Sequence, residues 1–270
     1  MQARPGYTAD FFEDSLLITD PWFYAVAIPA VLLFGISKGG FGGGLGTAAV
    51  PLMALVISPV RAAAILLPIL CVMDLVALWK FRGKWLWTEL RVLLPSSIVG
   101  IVIGALLFEY MSVAVVRLIV GTVAITFTLH YWINRSRARG AGLPDFPQSY
   151  GMLGGGVAGF TSFVAHAGGP PISMYLLRRP LNRTDFAATT IVFFAVVNYV
   201  KLIPYGWLGQ FSADNLATSA ALMILAPIGV LTGAWLHQRV SDRFFFALVY
   251  VLLLAVGVKL VYDGITPYLP

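Results

Sequence analysis

Cysteine is almost missing from this chain: Cys71 is the single example in 270 residues. One thiol inside an apolar run forms no internal disulfide and no cysteine-ligated metal site. Charge is scarce as well. Only 11% of the residues are Asp, Glu, Lys or Arg, against about a quarter in a soluble domain. The three histidines, His130, His166 and His237, are scattered without ligand spacing, so no metal site is expected. A secretory signal peptide is not expected either, because Arg4 is followed by Asp10, Glu13, Asp14 and Asp20 rather than by an apolar stretch. Phe11, Phe12, Leu16 and Leu17 instead fall at the spacing of a short interfacial helix. No nucleophile with a base, carboxylate pair or metal cluster stands out, so the expectation is a protein that is not an enzyme and needs no cofactor.

What fills the chain is apolar. Hydrophobic residues make up 59% of it and the mean hydropathy is +0.85. Such a chain cannot cover its own surface in water, so the bilayer is its solvent. The expected fold class is an all-α integral membrane protein, one transmembrane transporter domain over residues 1–270. A spanning helix needs about 20 apolar residues, and six stretches qualify: 62–79, 87–108, 113–133, 186–203, 216–236 and 244–262. Two longer ones, Trp22–Ile57 and Gln148–Leu177, break at clusters of glycine and proline. Each reads as a broken helix or a hairpin of two short helices meeting near the midplane.

Twelve of the 18 lysines and arginines fall in four groups: Lys80, Arg82, Lys84 and Arg91; Arg135, Arg137 and Arg139; Arg178, Arg179 and Arg183; Arg239 and Arg243. Placing all four in the cytoplasm leaves the acidic N-terminus, Glu109, Asp214 and Asp263 outside. This assignment closes only if both broken stretches return to the side they entered. The net charge of +6 is then orientation chemistry, and nucleic acid is not an expected partner.

The two halves also resemble each other. Val99–Leu107 aligns with Ile228–Leu236, each with a small-xxx-small pair that lets helices approach closely. Pro51 follows the first glycine cluster as Pro171 follows the second, and setting Ala63 against Ala187 puts Asp74 opposite Asn198. The expected architecture is two inverted repeats, about 22–134 and 148–263, each a broken-helix hairpin plus three transmembrane helices.

The segments Ser37-Lys38-Gly39-Gly40-Phe41-Gly42-Gly43-Gly44, ending in Val50-Pro51, and His166-Ala167-Gly168-Gly169-Pro170-Pro171 resemble the paired signatures of the TauE/SafE family. The second, with its two prolines, departs from a plain glycine cluster. The resemblance runs from about 22 to 262. It implies export of sulfite or an organosulfonate such as sulfoacetate by alternating access, with an anion channel, and then an intramembrane enzyme, as the alternatives. The expected location is the bacterial cytoplasmic (inner) membrane, multi-pass, with both termini outside. The expected partners are a small anion and the lipid bilayer, with a homodimer left open.

Lys38 is the sharpest candidate, since charge within a membrane usually faces a cavity or a partner. Beside it a glycine-rich bend exposes N–H groups, and the helix restarting after Gly46 offers its positive end. Substrate-binding candidates are therefore Lys38, Gly39, Gly40, Gly42, Gly43, Gly44, Thr47, His166, Gly168, Gly169 and Asn198. The alternatives for Lys38 are snorkelling or pairing with Asp74. For Asp74 a structural pairing with Lys80 or Arg82 is favoured, with proton coupling as the functional reading. His166 suits proton coupling or oxyanion binding. Asn198, the repeat mate of Asp74, is more often an interhelical hydrogen-bonding residue than a ligand contact. Trp85, Trp87, Trp132, Trp207, Tyr205 and Tyr268 read as interface aromatics, with a place along the pathway as the alternative for one of them.

Overall fold

The computed structural model describes residues 17–18, 20–40, 45–108, 110–137, 147–176, 178–179, 181–236, 239 and 242–268, side chains excepted at 45, 130–131, 134–137, 183, 242–250 and 252. All regular structure among them is helical. In chain order the helices are α1 (Pro21–Lys38), α2 (Ala49–Met53), α3 (Pro59–Lys80), α4 (Trp87–Phe108), α5 (Val113–Arg137), α6 (Gln148–Ala165), α7 (Gly169–Leu176), α8 (Arg183–Trp207), α9 (Ala213–Met223), α10 (Leu225–Leu236) and α11 (Asp242–Ile265). A 3₁₀ turn, Leu45–Ala48, precedes α2. The interfacial helix expected around Phe11 lies outside the described residues.

Helix starts are written in local chemistry. Asp20 accepts from the Trp22 amide ahead of Pro21, and Ser58 accepts from the Arg61 amide ahead of Pro59. Both pair a side-chain cap with a proline at the first helical position, where its missing N–H costs nothing. Asn182 and Ser212 cap α8 and α9 with their side chains as well, without the proline.

Helices α1, α3, α4 and α8 are each long and apolar enough to cross a membrane. Outward faces are apolar too: Leu106 is 60% and Ile203 76% exposed, a surface that lipid covers and water would not tolerate. The chain is a multi-pass membrane protein. One expected span is corrected. The stretch 216–236 is not a simple helix: α9 starts at Ala213 and a 43° bend at Ile224 separates it from α10. Pro227 accounts for the bend, because it has no N–H for the Met223 carbonyl four residues back and its ring collides with that carbonyl.

The two broken stretches do fold back on themselves, but with unequal arms. α1 and α6 have 18 residues each, about 27 Å at 1.5 Å per residue. Their return arms are short: the 3₁₀ turn with five-residue α2, and eight-residue α7. The hairpins therefore differ from the expected pair of short helices, and the 3₁₀ turn touches α7 where the two returns meet.

Packing follows the small residues. α3 and α8 lie against each other as the most buried spans. Around them α1 packs on α10, α6 on α4, and α5 on α11. A Cβ at Gly100 would stand 2.0 Å from the Gly156 carbonyl oxygen of α6, and one at Gly229 would stand 3.0 Å from Gly35 Cα of α1. Gly121 and Gly257 face each other likewise across α5 and α11. Without a Cβ these backbones come into direct contact, which is how helices associate where lipid removes the hydrophobic drive.

Candidate functional site

The C-terminal ends of α1 and α6 meet beside the crossing of α3 and α8. Six polar residues converge there: Lys38, Asp74, Asn198, Lys201, Ser162 and His166. Lys38, the last residue of α1, forms an ion pair with Asp74 Oδ1 of α3, and its Nζ also donates to the Leu70 carbonyl at 3.4 Å. Asn198 Nδ2 of α8 donates to the other oxygen of Asp74 at 2.7 Å. A cation at a helix C-terminus is favoured by the backbone dipoles, and both oxygens of the buried carboxylate are satisfied.

On the facing side, Lys201 of α8 is 0% exposed. Its Nζ lies 3.0 Å from the Ser162 carbonyl, 3.0 Å from Ser162 Oγ and 2.7 Å from His166 Nδ1. His166 Nε2 stands 2.9 Å from the Ala63 carbonyl. A carbonyl only accepts, so Nε2 carries the proton and Nδ1 faces Lys201. His166 caps α6 in the left-handed region at φ 51°, the one non-glycine positive φ among the described residues. This conformation costs a side-chain-bearing residue about 1–2 kcal/mol. It turns the chain sharply out of α6 and brings the imidazole back towards Ser162, one turn earlier. Tyr205, one turn beyond Lys201, stacks on the imidazole at 6.3 Å and donates to the Phe163 carbonyl at 2.6 Å.

Phe34, Lys38, Leu70, Ser162, His166, Phe194 and Asn198 line a small cavity between these groups. It has room for about one water molecule in this conformation, less than a sulfonate head needs. Lys38 is the one charged residue on its wall; Asp74 and Lys201 stand just behind it, Asp74 bonded to Lys38 and Asn198, and Lys201 to Ser162 and His166. Among the described residues, none of the three contacts of Lys201 is a carboxylate.

A sequence model described as "Sulfite exporter TauE/SafE" matches residues 27–260, most of the chain and every helix that builds this centre. The chain belongs to the TauE/SafE family. No curated protein and no solved structure matches it significantly. Members of this family are membrane transporters of sulfite and organosulfonates rather than enzymes.

In this TauE/SafE chain the expected residues divide sharply. Lys38, Asp74, His166 and Asn198 come together. Gly42, Gly43 and Gly44 lie outside the described residues. Gly39 serves packing: a Cβ there would stand 2.3 Å from the Val230 carbonyl of α10. Gly168 serves packing too, with a Cβ 2.7 Å from the Ala158 carbonyl. Gly40, at φ 153°, holds a backbone conformation that side chains avoid. Thr47 and Gly169 are buried beyond the residues lining the cavity.

Three further expectations are corrected. Asp74 pairs with Lys38 rather than with Lys80 or Arg82, because α1 crosses α3 at that level and the later cations lie at or beyond the end of α3. The helix restarting after Gly46 is a 3₁₀ turn and five residues, too short to offer a positive end, and the termini nearest the site are C-terminal. Tyr205 is no interface aromatic, being 3% exposed beside His166. Lys201 escaped the sequence reading altogether. Its signal was a lone cation inside the apolar stretch 186–203, the kind of residue that marks a site by default.

Proposed function

We propose that this protein exports a small anion, sulfite or an organosulfonate such as sulfoacetate, and that the anion's head binds between Lys38, Lys201, Ser162, His166 and Asn198. One observation carries the reading: of two buried lysines at this centre, Lys38 is paired with the buried carboxylate of Asp74, while the three contacts of Lys201 include no carboxylate. A charged lysine within a spanning helix costs up to about 2.5–3.5 kcal/mol, and a bound monoanion offsets the charge that Lys201 carries when protonated. A sulfonate spreads its charge over three oxygens and so suits several donors around one space better than a single strong partner.

Transport proceeds by alternating access of two inverted repeats, about 22–134 and 148–263. The exchange in the packing supports this: α1 of the first half leans on α10 of the second, and α6 of the second on α4 of the first. The aligned glycines Gly100 and Gly229 serve these two interfaces. The small size of the cavity supports a carrier cycle over an open pore. Both termini face outside the bacterial cytoplasmic membrane. In a Cys71→Ala background, an impermeant thiol reagent added outside should mark Gln210→Cys and spare Gly140→Cys; the reverse pattern overturns this orientation.

The anion site is tested by equilibrium binding of sulfite and simple sulfonates to purified protein. A charge-assisted hydrogen bond contributes about 1.5–3 kcal/mol, so a folded Lys38→Ala variant should bind about tenfold more weakly or worse. Wild-type affinity in that variant makes the lysine structural.

A further inference from the structure

The centre holds a feature that anion binding alone does not require. Lys201 and His166 face each other nitrogen to nitrogen at 2.7 Å. With Nε2–H given to the Ala63 carbonyl, Nδ1 accepts from Lys201. Both groups cannot be cationic at once, for then two N–H donors would collide across that gap. The pair therefore carries one positive charge or none.

The surroundings satisfy both states. As an ammonium, Lys201 has three N–H groups for three acceptors: the Ser162 carbonyl, Ser162 Oγ and His166 Nδ1. As an amine it keeps two N–H groups for the carbonyl and Nδ1, and its lone pair accepts from the Ser162 hydroxyl, which only has to rotate. No contact is lost in either direction. The titratable groups facing the pair are Lys38 from α1, Cys71 and Asp74 from α3, and Tyr205 from α8. Lys38 is held by Asp74, so this carboxylate does not serve as the counter-ion of Lys201.

We propose that the Lys201–His166 pair is a proton-binding site, and that one proton binds there with each sulfonate anion. This rests on the anion reading above. The balance is simple: the amine takes a proton from solvent to its lone pair, the anion enters beside it, and no bond to the anion forms or breaks. The empty centre, with Lys38 set against Asp74, is neutral; the loaded centre is neutral again. A proton thus moves with the anion, in the direction that the anion's own gradient sets. Linkage makes the effect mutual, protonation strengthening anion binding as the anion strengthens protonation.

Methanesulfonate is the probe, because it stays a monoanion and takes up no proton itself. Purified full-length protein in weak buffer with a pH indicator is titrated with it across neutral to alkaline pH. The expected result is uptake approaching one proton per anion bound, with affinity falling by up to about tenfold per pH unit at alkaline pH. Lys201→Met, and independently His166→Gln, should bind more weakly with a flattened pH profile. Wild-type binding with neither proton uptake nor pH dependence overturns the proton site and leaves the anion site standing. Absence of methanesulfonate binding at millimolar concentration overturns the sulfonate reading itself.

Discussion

Replacing Asp74 by asparagine keeps the shape of the side chain and removes its charge. Two donors now reach the carboxylate, Lys38 at one oxygen and Asn198 at the other. An amide offers a single acceptor, so one donor must face an N–H₂ group, and the Lys38 ammonium stays buried without its counter-ion. Breaking a buried ion pair from one side costs about 3–5 kcal/mol, which agrees with the cost of a lone lysine in a spanning helix. Lys38→Met should cost a similar amount by stranding the carboxylate. The double variant Lys38→Met/Asp74→Asn removes both charges and should be more stable than the sum of the singles by up to about 3 kcal/mol. Unfolding in mixed micelles with increasing SDS measures all four corners of this cycle. The singles should also part in function. Asp74→Asn leaves the Lys38 ammonium unopposed at the cavity wall, so anion affinity should rise roughly tenfold while stability falls. Additive stabilities, or single variants within about 0.5 kcal/mol of wild type, would refute the pairing as the element that holds the centre together.

Two further predictions concern packing around the site. Gly100→Ala forces a Cβ to within 2.0 Å of a backbone oxygen on α6 and should cost about 1–3 kcal/mol as overpacking, whereas Gly156→Ala in the same interface meets nothing closer than 3.6 Å and should be close to neutral in the same unfolding assay. Glu89, buried at the start of α4, accepts from Tyr175 of α7 at 2.8 Å and from Arg179 at 2.9 Å; Glu89→Gln should loosen the second hairpin, cost about 1.5–3 kcal/mol and speed proteolysis near residue 180, and unchanged stability and cleavage would show that this latch is unimportant.

The membrane class was legible in hydropathy because the bilayer demands long uniform stretches, and such stretches survive any detail of packing. The hairpin breaks were legible for a related reason: clusters of Gly and Pro interrupt a helix wherever it runs. The bend at Ile224 was equally available, since Pro227 sits inside the stretch 216–236, but one proline in an apolar helix is often accommodated without a break. Partner choice was harder to see. Lys80 and Arg82 are near Asp74 in sequence, yet Lys38, 36 residues away, reaches it because α1 crosses α3. Sequence distance says nothing about a crossing. Lys201 was hidden by its neighbours, one cation among residues that read collectively as a span. The packing role of Gly39 was not legible either: ligand approach and helix approach both require a residue without a Cβ, and only the position of α10 reveals the second.

In the proposed mechanism Lys38 and a protonated Lys201, buried beside the crossing of α3 and α8, hold the anion as it crosses the membrane. Efflux from proteoliposomes loaded with labelled sulfite, sulfoacetate, methanesulfonate or chloride tests this most directly, with and without a proton gradient. Saturable efflux of sulfite or a sulfonate is predicted, reduced about tenfold or more in folded Lys38→Ala and Lys201→Met variants. Fluxes no greater than in protein-free vesicles for every anion, or wild-type rates in both variants, would contradict it.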